Sequence, residues 1–391
     1  MMDKFLRVIQ VVPGVGTEAS GPSYSVPGLC RGLIQQGAKV SLFASGNVPI
    51  NIKGCDIHSF KSHVIPLIRR GISRHFYEDL LKSAAEVDIL HSNGLWSMYN
   101  VYPGWVIEKY RKSHKGIPKF VISPRGTLSN WSLHKGRVLK VVLGACLQYP
   151  SIRRADMFHA TSEKEYEEIR ALGYKQPIAI VPIGMDIPKG KCSVDKNDAN
   201  RLRRIVFFGR IHKVKAVDNL VRAWGDLHLD LSNWELVIAG PDCGAKGKLE
   251  EIIKELDIPR VRFTGELNGQ AKYDFLADAD IYVLPSHTEN FGVTVAEALA
   301  SGVPTIASQG TPWKGLEVEG CGRWVPIGVT PLVEALRALT SLSDQERTAM
   351  GEKGIEWIRR DFSWNGIGAK MKLAYEWLLG LGDRPAWVRV D

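Results

Sequence analysis

The chain has 391 residues, of which 45% are hydrophobic and 24% charged, with a formal net charge of +9; this length exceeds one ordinary hydrophobic core and predicts two domains. No apolar run approaches the roughly 18 residues of a membrane-spanning helix, and the start lacks a small-residue cleavage site, so we expect neither a transmembrane helix nor a signal peptide. The six cysteines are scattered singly, which excludes a disulfide framework or a cysteine zinc site and favours a reducing cytoplasm.

Strand-like and helix-like segments alternate from the first residues onward. The first half contains six predicted strands: 6–13, 39–45, 87–93, 119–124, 156–162 and 178–184. One helix has well-marked ends, because Ser162 and Glu165 form a predicted capping box and Gly173 follows the last apolar position. This alternation predicts a doubly wound α/β domain with a parallel sheet, in which ligands bind beyond the carboxyl ends of the strands.

Positive charge is concentrated in this first half. Residues 1–190 contain 25 Lys and Arg against 14 Asp and Glu, whereas the remainder contains 26 against 28. Within it, residues 65–81 are predicted to form either a helix lying on an anionic membrane or an ordinary solvated helix face, and residues 110–119 are a second basic stretch. No nucleic-acid-binding motif accompanies the charge, so phosphorylated acceptors or acidic lipid surfaces are the predicted partners.

Histidines lie at the ends of two predicted strands. His91, Asn93 and Trp96 follow the third strand, where they form either an acceptor-side loop or a half-buried turn. For His159 we predict an interior side chain with satisfied hydrogen bonds.

Residues 185–204 have almost no apolar side chains and predict an exposed linker, with domains at 1–187 and 188–363. Beyond the linker, five more strands are predicted: 204–209, 234–240, 261–265, 281–286 and 304–308. They indicate a second Rossmann-like domain. The C-terminal segment 364–391 begins with a predicted amphipathic helix, which we expect to pack back on the first domain.

The stretch 285–308, PSHTENFGVTVAEALASGVPTIAS, runs from a strand end into a helix that begins near Gly292 or Val293. The amides from Phe291 to Thr294 would lie at the positive end of that helix, where a phosphate binds well. Gly292 carries no side chain where the backbone approaches such an anion.

Two carboxylates flank this helix start. Glu297 could accept hydrogen bonds from two ribose hydroxyls, and Glu289 could do the same for a sugar. A glycosidase also uses two carboxylates, but the loop between them leaves their separation open. The ordinary structural explanation is one exposed loop glutamate and one glutamate on a helix face.

A second stretch, FFGRIHKVKAVDNLVRAW (207–224), runs from a strand through a glycine and a basic loop into a helix. It places Arg210 and Lys215 at the carboxyl end of a strand. Two cations there could neutralise a diphosphate leaving group, Arg210 by a two-pronged contact and Lys215 as a point charge. A solvated basic loop is the alternative.

Taken together, GRIHKVKAVDNL, GELN after a strand, ENFGVTVAE and SGVPTIAS resemble the C-terminal domain of family 4 of the glycosyltransferases, which has the GT-B fold. The resemblance implies two Rossmann-like domains with parallel sheets that face a central cleft. It also implies a retaining enzyme that uses a nucleotide diphosphate sugar and requires no metal or other cofactor. The implied donor site is Gly209, Arg210 and Lys215 at the diphosphate, Glu266 and Leu267 at the base, Glu297 at the ribose, Glu289 at the sugar, and Phe291, Gly292 and Val293 at the helix start.

The sequence departs from the family pattern at three places. A family Gly-Gly pair corresponds to Ser20-Gly21, so Gly21 is the implied diphosphate contact of the first domain. In ISPRGTL (122–128), Arg125 stands where the family often has a His near the reacting centre, and it joins Arg210, Lys215 and Glu289 as an implied catalytic residue. Ala216 stands where the family frequently has Gly, and we expect it to shift the loop.

One further motif, D-x-D, binds a divalent metal in a different glycosyltransferase fold. Asp278-Ala279-Asp280 matches its D-x-D pattern, but here it closes a helix and opens a strand, so we predict no metal site. The predicted function is transfer of a hexose-type sugar to a saccharide or lipid-linked acceptor, in the cytoplasm or on the inner face of the membrane. The alternatives are an epimerase or phosphorylase of the same fold, or a non-catalytic subunit that binds donor or lipid.

Overall fold

The computed structural model describes residues 5–16, 21–49, 51–61, 63–65, 68–113, 116–129, 144–188 and 201–391. The chain forms two compact units. The N-terminal unit is Met1–Gly184 together with Trp364–Asp391, and the C-terminal unit is Met185–Ser363. Most of the predicted linker, residues 189–200, lies outside the described residues. Among the described residues, no helix combines the length and apolar character that crossing a bilayer requires.

The N-terminal unit is built on an eight-stranded sheet with the order β16-β9-β8-β7-β6-β1-β2-β3, accompanied by the antiparallel hairpin β4-β5. Its strands are β1 (Arg7–Val12), β2 (Lys39–Ser45), β3 (Cys55–Phe60), β4 (His63–Ile65), β5 (Ile68–Ile72), β6 (Ile89–Asn93), β7 (Lys119–Ser123), β8 (Met157–Ala160), β9 (Ile178–Ile180) and β16 (Val388–Arg389). All neighbours in the large sheet are parallel except β16, which pairs antiparallel with β9. The strand order reverses between β1 and β6, which makes their carboxyl ends the switch point where ligands bind in open α/β sheets.

The helices of the N-terminal unit are α1 (Gly21–Gln35), α2 (Arg74–Ser83), α3 (Met98–Ser113), α4 (Tyr149–Arg153), α5 (Glu163–Ala171) and α13 (Trp364–Leu378). The predicted helix after Ser162 is confirmed as α5: the Ser162 hydroxyl accepts from the Glu165 amide, and Gly173 follows with φ +81°. The Glu165 carboxylate also accepts from the amides of Gly126 and Thr161, at 2.6 and 2.7 Å. This buried carboxylate therefore ties the loop after β7 to the start of α5.

The interpretation of residues 65–81 as one surface helix is wrong. Ile68–Ile72 is strand β5, and the helix begins only at Arg74, after Ser73 caps it by accepting from the Phe76 amide. The apolar side of α2 is occupied within the unit, since Phe76 and Leu80 are buried. Residues 66 and 67 lie outside the described residues. The second basic stretch begins in the last turn of α3, where Arg111 pairs with Asp156, and ends at the first residue of β7; residues 114 and 115 lie outside the described residues.

The C-terminal helix α13 crosses α1 at glycines. A Cβ atom on Gly32 would lie 2.3 Å from the carbonyl oxygen of Trp364, and one on Gly368 would lie 2.2 Å from the Gly32 carbonyl carbon. The Trp364 ring covers Gly28 and Gly184 in the same way. The two backbones thus meet where side chains are absent, which places residues 364–378 within the N-terminal unit.

The C-terminal unit is a second parallel sheet, with the order β12-β11-β10-β13-β14-β15. Its strands are β10 (Arg203–Phe208), β11 (Trp234–Ala239), β12 (Val261–Gly265), β13 (Ile281–Leu284), β14 (Thr305–Ser308) and β15 (Gly322–Val325). Its helices are α6 (Val217–Leu227), α7 (Lys246–Glu255), α8 (Gly269–Ala277), α9 (Val293–Ala300), α10 (Gly315–Val318), α11 (Val329–Thr340) and α12 (Asp344–Asp361). The strand order reverses between β10 and β13, so their carboxyl ends form the switch point of this unit.

Candidate functional site

A buried ion pair bridges the switch point of the C-terminal unit. Lys215 follows β10 and Glu289 follows β13, and the Lys215 ammonium lies 2.6 Å from Glu289 Oε1. The Ser286 hydroxyl donates to the same oxygen at 2.7 Å. Only 11% of the Lys215 side chain and 14% of the Glu289 side chain are exposed. Neither residue is therefore the solvated loop side chain that the ordinary alternatives describe.

Helix α9 begins beside this pair, at the residues that the sequence indicates. Gly292 precedes it with φ +78°, and a Cβ atom there would lie 3.2 Å from Trp313 Nε1. That indole nitrogen donates to the Phe291 carbonyl at 2.6 Å. The Val295 amide donates to the Gly292 carbonyl at 3.0 Å, whereas the amides of Val293 and Thr294 precede the first acceptor that helix geometry provides. A fixed turn thus presents the positive end of a helix at the switch point.

Glu297 lies one turn further along α9 and is buried, with 5% of its surface exposed. Its Oε1 accepts from Lys272 on α8 at 2.8 Å. Burial raises the pKa of Glu297, and the Lys272 ammonium acts in the opposite direction. The buried Tyr282 hydroxyl donates to Thr294 at 2.6 Å, and its pKa is raised well above the usual range by burial.

The other implied donor residues follow neighbouring strands. Arg210 is exposed and forms no ion pair with the described residues. Gly209 donates to the Ala239 carbonyl at 3.0 Å, and a Cβ atom on Gly240 would lie 1.9 Å from the Gly209 carbonyl oxygen. Gly240, which the sequence analysis missed, therefore lets the ends of β10 and β11 meet.

The two residues that the resemblance places at the nucleobase, and the alanine that replaces a family glycine, lie at the same edge of the sheet. Glu266 is exposed and Leu267 half-buried, directly after β12. Ala216 adopts φ +49° at the start of α6. A side chain in this left-handed region costs about 1–2 kcal/mol, which explains why glycine suits this position. Ala216 thus carries backbone strain before α6.

In the N-terminal unit, Arg125 follows β7 with φ +57°. One guanidinium nitrogen donates to Asn93 Oδ1 at 2.9 Å, while the buried Nε has no partner among the described residues. Burial lowers the pKa of Arg125 to about 10, an effect that Glu165 opposes. Gly21 begins α1, and a Cβ atom there would meet no described atom within 4 Å. The packing of the described residues therefore does not itself require glycine at position 21.

A buried polar chain runs from Asn93 across the N-terminal sheet. Its members, with the distance from each to the next, are Asn93 (2.8 Å), Gln10 (3.2 Å), Tyr375 (2.6 Å), His91 (2.7 Å), Ser123 (2.6 Å) and His159. His159 Nε2 also bonds the Val181 carbonyl, and burial lowers the pKa of His159 to about 3. The interior His159 is thus confirmed. His91 and Asn93 are fully buried at the end of β6, so they form neither an exposed loop nor a half-buried turn, and Trp96 after the strand is 9% exposed.

The D-x-D carboxylates are occupied by arginines. Arg201 lies 3.1 Å from Asp278 and 3.0 Å from Asp280, and Arg204 also pairs with Asp278. These contacts make Asp278 and Asp280 part of an ion-pair network that joins β10 to the end of α8. Within the described part of the chain, no group of three or more His, Cys, Asp or Glu is arranged to hold a metal.

Two parallel α/β units, each with polar side chains at its switch point, define an architecture of two Rossmann-like domains. Residues 19–189 match the model of glycosyltransferase family 4, and residues 193–357 match that of the group 1 glycosyl transferases. The chain therefore belongs to family 4 of the glycosyltransferases, of the group 1 type, as the resemblance of its motifs predicts.

Solved structures share the fold along almost the whole chain. Sucrose-phosphate synthase from Thermosynechococcus elongatus superposes with a TM-score of 0.73 at 20% identity, covering 96% of this chain and all of that one. The Anabaena protein HepE, solved with UDP and glucose, gives a TM-score of 0.72 at 16% identity and covers 94% and 98% of the two chains. These likenesses confirm the GT-B fold.

Curated relatives match over shorter regions. D-inositol 3-phosphate glycosyltransferase from Corynebacterium jeikeium is 29% identical over 256 residues, which is 60% of each chain. A GDP-mannose-dependent monoacylated phosphatidylinositol monomannoside mannosyltransferase from Corynebacterium glutamicum is 27% identical over 223 residues, 51% of this chain and 56% of that one. The chain thus spans less than two thirds of the length of these relatives.

Proposed function

We propose that the protein is a retaining glycosyltransferase that moves a hexose-type sugar from a nucleotide diphosphate sugar to an acceptor without a metal ion. The observation that carries the proposal is the buried Lys215–Glu289 pair beside the start of α9. A buried cation, a positive helix end and a carboxylate meet at a switch point, which suits an anionic leaving group next to a polyhydroxylated one.

The donor diphosphate lies against Lys215, Arg210 and the first-turn amides of α9. An ammonium group has three donors, so Lys215 can keep its bond to Glu289 and still donate to a phosphate oxygen. Arg210 is exposed, and its planar guanidinium can contact two phosphate oxygens. These fixed positive groups stabilise the charge that develops as the sugar–phosphate bond breaks.

Glu289 orients the transferred sugar. Its Oε1 is held by Lys215 and Ser286, and the carboxylate accepts hydrogen bonds from sugar hydroxyls. The acceptor hydroxyl attacks the anomeric carbon from the face that the nucleotide leaves, and its proton passes to the departing diphosphate oxygen. The new glycosidic bond forms as the sugar–phosphate bond breaks, which retains the anomeric configuration.

An anionic or lipid-linked acceptor is favoured by charge and by the relatives. The N-terminal 190 residues have an excess of Lys and Arg, and the relatives' names specify an inositol phosphate and a phosphatidylinositol mannoside. Gly21 and Arg125 are the residues of the N-terminal unit assigned to the reaction. A cytoplasmic enzyme of surface polysaccharide or glycolipid assembly, attracted by its charge to the inner face of the membrane, fits these properties.

The test is thermal stabilisation of the purified protein by UDP, GDP, ADP, TDP and CDP with EDTA present. We expect one of them to raise the melting temperature, and Arg210→Ala to abolish that rise. Arg337→Ala is the control, because it removes an exposed arginine of the same unit that pairs with Asp230 on another edge of the fold. Absence of stabilisation by every diphosphate would contradict the donor site. Stabilisation without sugar release from any donor would favour a non-catalytic subunit.

A further inference from the structure

The contact between α8 and α9 contains a buried charge that the proposed donor chemistry does not use. Lys272 donates to Glu297 Oε1 at 2.8 Å, with 18% of the lysine side chain and 6% of the glutamate side chain exposed. Removing two charges from water costs several kcal/mol per ion unless each is well compensated. A glutamate and a lysine are therefore placed here at a cost that packing alone does not explain.

The pair leaves one carboxylate oxygen open. Lys272 occupies Oε1, whereas Oε2 receives no hydrogen bond from the described residues. The lysine is itself fixed, because its ammonium lies 4.6 Å from the centre of the Tyr273 ring. Lys272 thus fixes one oxygen of the carboxylate and leaves Oε2 available as an acceptor.

We propose that Lys272 is a positioning residue of the donor site, which keeps Glu297 ionised and oriented so that it accepts hydrogen bonds from the ribose hydroxyls of a nucleoside diphosphate. This inference rests on the proposed function and on the ribose contact that the family resemblance implies for Glu297. It adds that discrimination between ribose and 2′-deoxyribose depends on a lysine that does not touch the sugar itself.

The surroundings of Glu297 explain why the lysine matters. Its neighbours that can carry charge are Lys272 and Tyr273 on α8 and Tyr282 on β13. Both tyrosines have raised pKa values because they are buried, so they stay neutral. Lys272 is thus the only cation that these contacts place against Glu297. Burial favours the protonated carboxyl group, and a protonated Glu297 loses an acceptor that a vicinal diol needs.

The experiment uses the nucleoside diphosphate that raises the melting temperature of the wild type. Calorimetry compares its binding with that of its 2′-deoxy form from pH 6 to pH 8.5. In the wild type we expect a preference for the ribose form of about tenfold, set by a hydrogen bond to a charged group, and constant over this range. In Lys272→Met the preference should fall toward one at pH 6 and return as the pH rises. Lys272→Arg should restore it at every pH.

Two further variants keep the result interpretable. Glu297→Gln should show little preference at any pH, and the double variant Lys272→Met/Glu297→Gln, which leaves no unpaired buried charge, should behave like Glu297→Gln alone. Lys248→Met, which removes a lysine that is 66% exposed in the same unit, is the matched control. A pH-independent wild-type preference in Lys272→Met would overturn the inference. A wild type that binds both forms equally would instead contradict the ribose contact that the family resemblance implies for Glu297, and would leave the diphosphate site of the proposed function untouched.

Discussion

Trp313 fixes the turn at which α9 begins. Its indole nitrogen donates to the Phe291 carbonyl, and its ring packs against Phe291, Trp357 and Phe362 with centroid distances of 5.2 to 5.4 Å. Gly292 leaves the space that the indole occupies. The helix start at Gly292 is predictable from the sequence, but the role of Trp313 is not, because the tryptophan is distant in the chain and no local pattern connects the two.

Replacement of Trp313 by Phe tests this role. The Phe291 carbonyl would lose its partner in a buried position, so we expect a loss of about 1–3 kcal/mol in the free energy of unfolding. Nucleoside diphosphate affinity should also fall, because the first-turn amides of α9 would no longer be held. Urea denaturation and calorimetry give the two quantities.

Trp324→Phe is the control for this substitution. Trp324 donates in the same way to the Thr311 carbonyl at 3.0 Å, and it should lose stability without losing affinity. Equal losses of affinity in both variants would show that the turn before α9 has no special role.

At the scale of elements, the packing of α13 on α1 depends on glycines. Gly32→Ala would place a methyl carbon 2.3 Å from the Trp364 carbonyl oxygen, a backbone atom that cannot rotate away. We expect the N-terminal unit to lose several kcal/mol of stability, more than the 1–3 kcal/mol typical of overpacking at side chains. Gly21→Ala, in the first turn of the same helix, meets no described atom and should be nearly neutral. Thermal denaturation of the two variants distinguishes them, and similar melting temperatures would contradict the close crossing.

Most of the strands that the sequence predicted are buried on both faces. β1, β7, β11, β13 and β14 are mainly apolar, and a parallel sheet buries such runs. β3 was missed because Cys55–Phe60 is only partly buried at the sheet edge. β16 has only two residues, and it forms a strand only through its pairing with β9, which lies about 200 residues earlier in the chain. The pattern of residues 65–81 predicts one helix and not a strand followed by a helix, because a short apolar run with interspersed charge fits either period.

The loops that carry the candidate site residues could be predicted from the sequence, but the ion-pair partners of those residues could not. Their positions after strands and at a helix start made Lys215, Glu289 and Glu297 candidates, and the resemblance to family 4 of the glycosyltransferases assigned their roles. The ion pairs of these residues were not predicted. Lys272 lies 25 residues before Glu297, in a helix whose pattern resembles any half-buried helix, and only the packing of α8 on α9 brings the two side chains together.

At the scale of the whole molecule, the two units differ in how their stability responds to acid. The N-terminal unit contains His91 and His159, whose pKa values are lowered by burial, well below the usual range for His91 and to about 3 for His159. In the C-terminal unit, Asp344 has a pKa lowered to about 2 by its bonds to Arg203 and Arg347, and burial raises the pKa of Glu297. These shifts have different consequences between pH 7.5 and pH 5.

Both histidines are neutral in the folded N-terminal unit and gain a proton near pH 6.5 when it unfolds. The unfolded state therefore binds more protons below pH 6.5, and stability falls by about 1.4 kcal/mol per pH unit for each histidine, or roughly 2 kcal/mol each at pH 5. In the C-terminal unit, Asp344 loses its stabilising effect only as the pH falls from about 3.8 toward 2, and Glu297 takes up its proton more readily when folded, which acts in the opposite direction.

Hydrogen exchange measured by mass spectrometry, corrected for intrinsic rates, should show protection of β6, β7 and β8 falling between pH 7.5 and 5 while β10 and β13 keep theirs. His159→Gln should reduce the slope for the N-terminal unit by one proton, and equal loss of protection in both units would contradict the assignment of acid sensitivity to the buried histidines.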